Sequence, residues 1–180
     1  PSETAGDKNI DAANGGASAR LDLAEIARSL TSKPSIAVLP FLNLSRDADQ
    51  DYLAEGVAED IITALSRFHE LLVMARSSSF AFKGSTLGAA GIARELGVQY
   101  VLGGSIRTAG SRIRLSAELT SAEDGALVWS DRYDRDLVDV FALQDDIGRS
   151  VAAAVQPAVR GVEIERARRK PLANLSAYDL

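Results

Sequence analysis

Short apolar runs and amphipathic stretches alternate along the first half of the chain. The run from Ser35 to Phe41 contains β-branched residues and is bounded by Pro34 and Pro40. That length and those boundaries favour a buried strand over a helix. A similar apolar run predicts a second strand at 71–75. Between the two runs, apolar residues at helical spacing predict a helix over 51–68, with a stripe formed by Leu53, Val57, Ile61, Leu65 and Phe68.

The period of the apolar residues changes at Gly97. Before it, apolar positions at helical spacing predict a second helix, which Ser85 or Thr86 caps and Gly97 ends. After it, apolar and polar residues alternate, which predicts a meander of strands at 98–108, 112–119 and 126–133. We expect the arginines on these strands to pair with acidic residues on the neighbouring strands.

A last helix is predicted from 136–139 onward, because apolar residues recur every four positions, at Leu143, Ile147, Val151 and Val155. Pro157 is expected to kink or end this helix. The charged tail from Glu163 to Lys170 is expected to be exposed helix or linker, and Pro171 to break it.

The predicted order of elements is βαβαβββα, which indicates an α/β fold. Each βαβ step is expected to be a right-handed crossover between parallel strands. The result is a mixed sheet of about five strands in two or three layers, with helices packed on the sheet. Residues 1–33 are predicted to be a flexible linker that can form a short helix, and residues 34–165 to be the domain. Residues 166–180 are predicted to be a second linker and the start of a further segment.

Composition narrows the chemistry that this chain can perform. It has no Cys, so disulfides and thiol chemistry are excluded, and its one histidine is His69. The net charge of −5 argues against a general nucleic-acid binder, and no apolar run approaches the roughly 20 residues of a membrane helix. We therefore expect no catalytic residue, metal site or cofactor in this chain. It begins at Pro1 without Met, and we expect it to be a piece of a longer protein.

Two polar segments could carry a site. The acidic residues at 47, 49 and 51 do not form a calcium loop, because Tyr52 and Ala58 occupy the positions that require Gly and Glu. The serines at 77–79 lack the surroundings of a nucleophile elbow and favour a hydrogen-bonded turn. Ligands in such sheets favour the carboxyl ends of parallel strands. A small polar cleft is therefore hypothesised there, with Arg76 as its anion-binding group, lined by Asn43, Ser45, Arg76, Ser77 and Ser78. Ordinary loop capping is the alternative role for these residues.

A set of motifs occurs in order between about residues 33 and 170, at Lys33–Phe41, Glu55–Ile61, Ala75–Phe80, Glu95–Ser105, Trp129–Asp136 and Phe141–Asp145. Together they resemble the TolB amino-terminal-like domain of large bacterial signalling proteins. The resemblance implies a module without catalytic residues, which follows a class III adenylate or guanylate cyclase domain or a winged-helix DNA-binding domain. Tetratricopeptide (TPR) repeats typically come after it, and the segment from Leu175 is similar to the entry of such a repeat.

The resemblance implies a non-catalytic regulatory or interaction domain of a cytoplasmic signalling protein, most readily an adenylate cyclase. The same module in a winged-helix transcription regulator is the first alternative. An independent small-molecule-binding domain or enzyme is the second. The partners implied are the neighbouring domains of the same chain and a second copy in a homodimer, without direct nucleic-acid or membrane contact.

Overall fold

One mixed sheet of parallel and antiparallel strands organises the domain. The structure is a computed structural model that describes residues 33–178, with side chains up to Arg169. The strands are β1 (Ser35–Val38), β2 (Leu42–Asn43), β3 (Leu72–Val73), β4 (Tyr100–Ala109), β5 (Arg112–Ser121) and β6 (Leu127–Asp136). Their order is β3-β1-β4-β5-β6, and β2 pairs with β4 farther along that strand. The expected α/β class with a mixed sheet is confirmed.

Helices cover both faces of this sheet. They are α1 (Asp51–Ser66), α2 (Arg76–Phe80), α3 (Ala89–Leu96) and α4 (Val140–Tyr178), and a 3-10 turn at Ala48–Gln50 precedes α1. Helices α1 and α4 pack on one face and enclose the larger core with Tyr100, Leu102 and Ile106 of β4. Helix α3 covers the other face only near β1 and β4, where Ala93 packs against Ala37 and Val101. In the described part of the chain, no helix combines the length and apolarity that crossing a membrane requires.

Several local expectations differ from the structure. The serines at 77–79 lie in the short helix α2 rather than in a turn, and Ser79 Oγ donates to the carbonyl of Ala75. Helix α3 begins at Ala89 with Gly88 at its N-cap, while Ser85 caps only the turn before it. The strand expected at 71–75 shortens to two residues, because only Leu72 and Val73 pair with β1. The linker expected at 1–33 lies, apart from Lys33, outside the described residues.

The last helix continues past Pro157, which was expected to kink or end it, and past Pro171, which was expected to break it. Helix α4 passes through Pro157 and Pro171 and reaches Tyr178, 39 residues in all. Val151, Val155 and Val159 on both sides of Pro157 are fully buried, so packing against the core offsets the cost of a proline in the helix.

Part of the tail that was expected to be exposed is attached to the sheet. Arg166 donates to Ser121 Oγ at 2.7 Å and forms an ion pair with Glu123 at 2.9 Å. The buried hydroxyl of Tyr100 donates to Glu163 at 2.7 Å, and burial is the main reason why its pKa is raised. These contacts hold α4 on the sheet well beyond Pro157.

Helices α1 and α4 run parallel and approach closely at small residues. A Cβ on Gly148 of α4 would lie 3.1 Å from the backbone of Asp60 on α1, and a Cβ on Gly56 would overlap Gln144. The backbone and Cβ of Asp60 lie in this contact, and its side chain lies near Asp145 and Arg149 of α4. Burial is the largest cause of the raised pKa of the Asp60 carboxyl group, and the negative charges of Asp145 and Glu59 raise the pKa further.

Strand β4 carries two adjacent glycines with different surroundings. A Cβ on Gly104 would overlap the carbonyl oxygen of Ser116 on β5 and lie 2.8 Å from Cε1 of Phe41. A Cβ on Gly103, on the other face, would meet only Leu39 at 3.8 Å, an ordinary contact. Gly104 is thus required by close packing, whereas Gly103 leaves space.

We expect Gly104→Ala to lower the free energy of unfolding by about 1–3 kcal/mol, because the methyl group forces β5 or Phe41 to shift. Urea unfolding followed by circular dichroism measures this change. Gly103→Ala is the matched control and should leave the stability nearly unchanged. Equal effects of the two substitutions would contradict the assigned packing.

We expect Asp60→Asn to stabilise the protein at neutral pH. The folded-state pKa of Asp60 lies above its ordinary value of 3.8, so its ionised form destabilises the fold as pH rises through the raised pKa. The gain from Asn should shrink as pH falls and vanish below the unfolded-state value. Urea midpoints measured across the acid range test this, with Glu95→Gln on the exposed side of α3 as control. A loss of stability at neutral pH would contradict the assignment.

Candidate functional site

A cavity of about 430 Å³ opens at the carboxyl end of β1. It lies between the first turns of α1, the start of α3 and the loop at 82–87, with β4 and β5 behind it. Much of its wall is apolar, formed by side chains that include Leu39, Phe41, Phe82, Leu87, Ile92 and Val101. Apolar walls with a few polar groups are typical of small-molecule sites.

The back of the cavity depends on the absence of a side chain. Gly103 lines the cavity and stands directly opposite Glu118 in the antiparallel pairing of β4 with β5. Thr120 lies two residues further along β5, on the same face, and also lines the cavity. A larger residue at 103 would extend into this space and reduce the volume of the cavity.

The charged groups of the cavity are mainly acidic. Within residues 33–169, Asp51, Glu55 and Glu118 line it together with one cation, Lys83. Lys83 Nζ forms an ion pair with Glu55 Oε1 at 2.5 Å, and this bond raises the pKa of Lys83. Because Glu55 is already paired, Asp51 and Glu118 give the remaining wall a negative character.

Asn43 organises the loop at the mouth of the cavity. Its Nδ2 donates to the carbonyl of Asp47 and to Asp51 Oδ1, each at 2.9 Å. Its Oδ1 accepts from the backbone N–H of Ser45 at 2.9 Å. Asn43 thus joins the end of β2 to the start of α1 and positions the Asp51 carboxylate.

The five residues of the hypothesised cleft fall into two groups, Asn43 with Ser45 at and just after the end of β2, and Arg76 to Ser78 in α2. Of the five, only Asn43 lines the cavity. Ser45 Oγ accepts from the backbone N–H of Thr108 at 2.8 Å. Arg76 forms an ion pair with Glu59 at 2.9 Å, and its guanidinium lies 4.5 Å from the centre of the Phe80 ring. Ser77 and Ser78 lie beside Arg76 in α2. A ligand-binding role for the five residues stays a prediction.

Sequence reasoning did not find Lys83, Gly103 and Glu118 as cavity residues. The sequence analysis treats the acidic residues of these strands, Glu118 among them, only as cross-strand partners for arginines. The pairs that form on this face are Arg114 with Asp134 at 2.8 Å and Arg112 with Asp136 at 3.8 Å. The usable signal was the strand register, which places Glu118 opposite a glycine. Across the described residues, no group of three or more His, Cys, Asp or Glu side chains is arranged to hold a metal ion.

Comparison with solved structures identifies the fold class of this protein. TolB from Acinetobacter baumannii superposes with a TM-score of 0.51 at 18% identity, over 71% of this chain and 28% of that one. At that identity the likeness shows the fold alone. The chain therefore has the α/β fold seen in part of TolB.

Sequence comparison identifies the family. The model described as "HilA/YgeH-like transcriptional regulator, second domain" matches residues 32–149, and the chain belongs to that family. A protein of Rhizobium meliloti (strain 1021) with the name "Putative adenylate cyclase 3" is 47% identical over 157 residues. This match covers 87% of the present chain and 27% of the Rhizobium protein.

Proposed function

We propose that this chain is a non-catalytic regulatory module of a cytoplasmic bacterial signalling protein of the adenylate cyclase type. The observation that carries the proposal is the cavity beside α1, in a domain 47% identical to a segment of a protein named as a cyclase. The partners would be the neighbouring domains of the same chain, including the TPR repeats that the TolB-like resemblance implies.

Helix α1 offers a route from the cavity to α4. Asp51, Ala54 and Glu55 on its first turns line the cavity. The next turns meet α4, where Asp60 packs against Gly148. Contacts this close leave little room for one helix to move without the other. A ligand that shifts α1 would therefore shift α4, which extends to Tyr178.

The chemistry of the cavity favours an amphipathic cation as ligand. The apolar wall fits a hydrocarbon or aromatic body, and Asp51 and Glu118 fit an ammonium or guanidinium group. An anionic ligand would meet uncompensated carboxylates, since Lys83, the one cation among the described residues of the lining, is paired with Glu55. The size of about 430 Å³ is in the range of small-molecule sites.

A role in a transcription regulator is the second candidate, favoured by the description of the matching family. The module would then work beside a DNA-binding domain instead of a cyclase domain. Under the first candidate the complete protein would carry cyclase sequence before this module, and under the second it would carry winged-helix sequence, so the gene sequence distinguishes the two.

The regulatory role can be tested in a chimera. The Rhizobium protein is purified with its matching segment replaced by this chain, and the conversion of ATP to cyclic AMP is measured. We expect the isolated chain to show no turnover, and the chimera carrying Gly103→Val to differ in rate from the unmodified chimera by roughly twofold or more, since the valine occupies the cavity. Ser116→Val, on the same face of the sheet but outside the cavity lining, is the control and should behave as wild type.

Equal rates for all the chimeras would contradict regulation through the cavity. Conversion of ATP by the isolated chain would support the alternative that it is an independent enzyme. Cyclase activity absent from both the Rhizobium protein and its chimera would favour the transcriptional alternative.

A further inference from the structure

Strand β6 ends the sheet and leaves a long edge open. It has 10 residues, pairs antiparallel with β5, and has no strand on its other side within residues 33–178. An open edge of this length presents backbone donors and acceptors to any strand that can align with them.

The hydrogen-bonding pattern identifies which backbone groups are open. The N–H of Leu137 donates to the carbonyl of Ser111 at 2.6 Å, so Leu137 faces β5. In an antiparallel pair successive residues alternate in direction, and Tyr133 and Arg135 therefore also face β5. The N–H and carbonyl groups of Arg132 and Asp134 point to the open edge. There the Arg132 N–H donates to Asp131 Oδ1 at 2.8 Å, and the Asp134 carbonyl accepts from Arg135 Nη1 at 3.0 Å. A strand that pairs here would replace these two side-chain contacts.

The side chains along this edge are complementary to themselves. Residues 131–135 are Asp-Arg-Tyr-Asp-Arg. When two copies run antiparallel with Tyr133 opposite Tyr133, Asp131 faces Arg135 and Arg132 faces Asp134. Each of these contacts occurs twice by symmetry. We propose that β6 pairs with β6 of a second copy in this register, so that one continuous sheet crosses a homodimer.

The charges select this register over its neighbours. A slip of two residues in one direction places Arg132 opposite Arg132, and a slip in the other direction places Asp134 opposite Asp134. A parallel pairing of equivalent residues brings like charges together throughout. Charged residues often keep edge strands apart. Here they oppose pairing in the other registers and favour it in one, with one partner, a second copy of this chain.

The surrounding ion pairs are compatible with this contact. Among the described residues, Asp131 and Arg132 have no ion-pair partner. Asp134 and Arg135 are paired within the chain, with Arg114 and with Asp146, each at 2.8 Å, and each side chain retains 37% exposure. The second copy would therefore supply partners for the two unpaired charges and extend two existing pairs into networks.

The solution mass of the full 180-residue chain, measured by sedimentation and light scattering up to millimolar concentration, tests the proposal. We expect a concentration-dependent dimer. Arg132→Asp places like charges opposite each other at two symmetric contacts and should weaken the dimer by roughly tenfold or more. Arg107→Asp, the same change at an exposed position on β4, is the control and should leave the dimer unchanged.

A mixture of two variants separates the loss of pairing from a loss of folding. Arg132→Asp alone and Asp134→Arg alone each produce repulsion in their own homodimers. Mixed together, the two chains are complementary at all four positions and should form a heterodimer. Wild type that is monomeric at every concentration, a dimer that Arg132→Asp does not weaken, or failure of the mixture to associate would each overturn the proposal. A dimer in a chain that shows no cavity-dependent regulation would leave this inference standing and contradict the proposed function.

Discussion

The burial of β4 on both faces is the constraint on which the domain depends. This strand is parallel to β1 and β2 on one side and antiparallel to β5 on the other. Tyr100, Leu102 and Ile106 project into the core below α1 and α4, and Val101 projects toward α3. Removal of these side chains from water is the main source of stability at this junction. The parallel and antiparallel halves of the sheet are held together through this one strand.

The two glycines of β4 give that constraint a functional consequence. At Gly104 the absence of a side chain lets Phe41 and β5 approach the strand. At Gly103 it leaves space in the wall of the cavity, on the face that α3 covers only in part. The same strand thus closes the core on one side and provides a binding space on the other. Helix α1 contributes residues to both the cavity and the core, so a movement of α1 would affect both.

Local pattern was sufficient for the elements whose burial follows a strict period. The stripe from Leu53 to Leu65 predicted α1, and the change to alternation after Gly97 predicted the meander. Gly97 ends α3 as expected, with φ of +70°. Elements set by long-range contacts were missed. Strand β2 has only two residues and exists because Leu42 and Asn43 align with β4, and α4 passes Pro157 because its valines are buried. The cavity is lined by residues as far apart in the sequence as Leu39 and Thr120, so no local sequence motif predicts it.

The most direct test of the central claim, that the cavity is an accessible site linked to α4, is methyl NMR during titration with benzylamine. This probe combines an aromatic body with an ammonium group. The methyl resonances of Leu39, Leu87 and Ile92 are expected to shift, followed by those of Leu143 and Ile147 on α4, and Gly103→Val should abolish both sets of shifts. Unchanged spectra, or identical shifts in wild type and Gly103→Val, would contradict the claim.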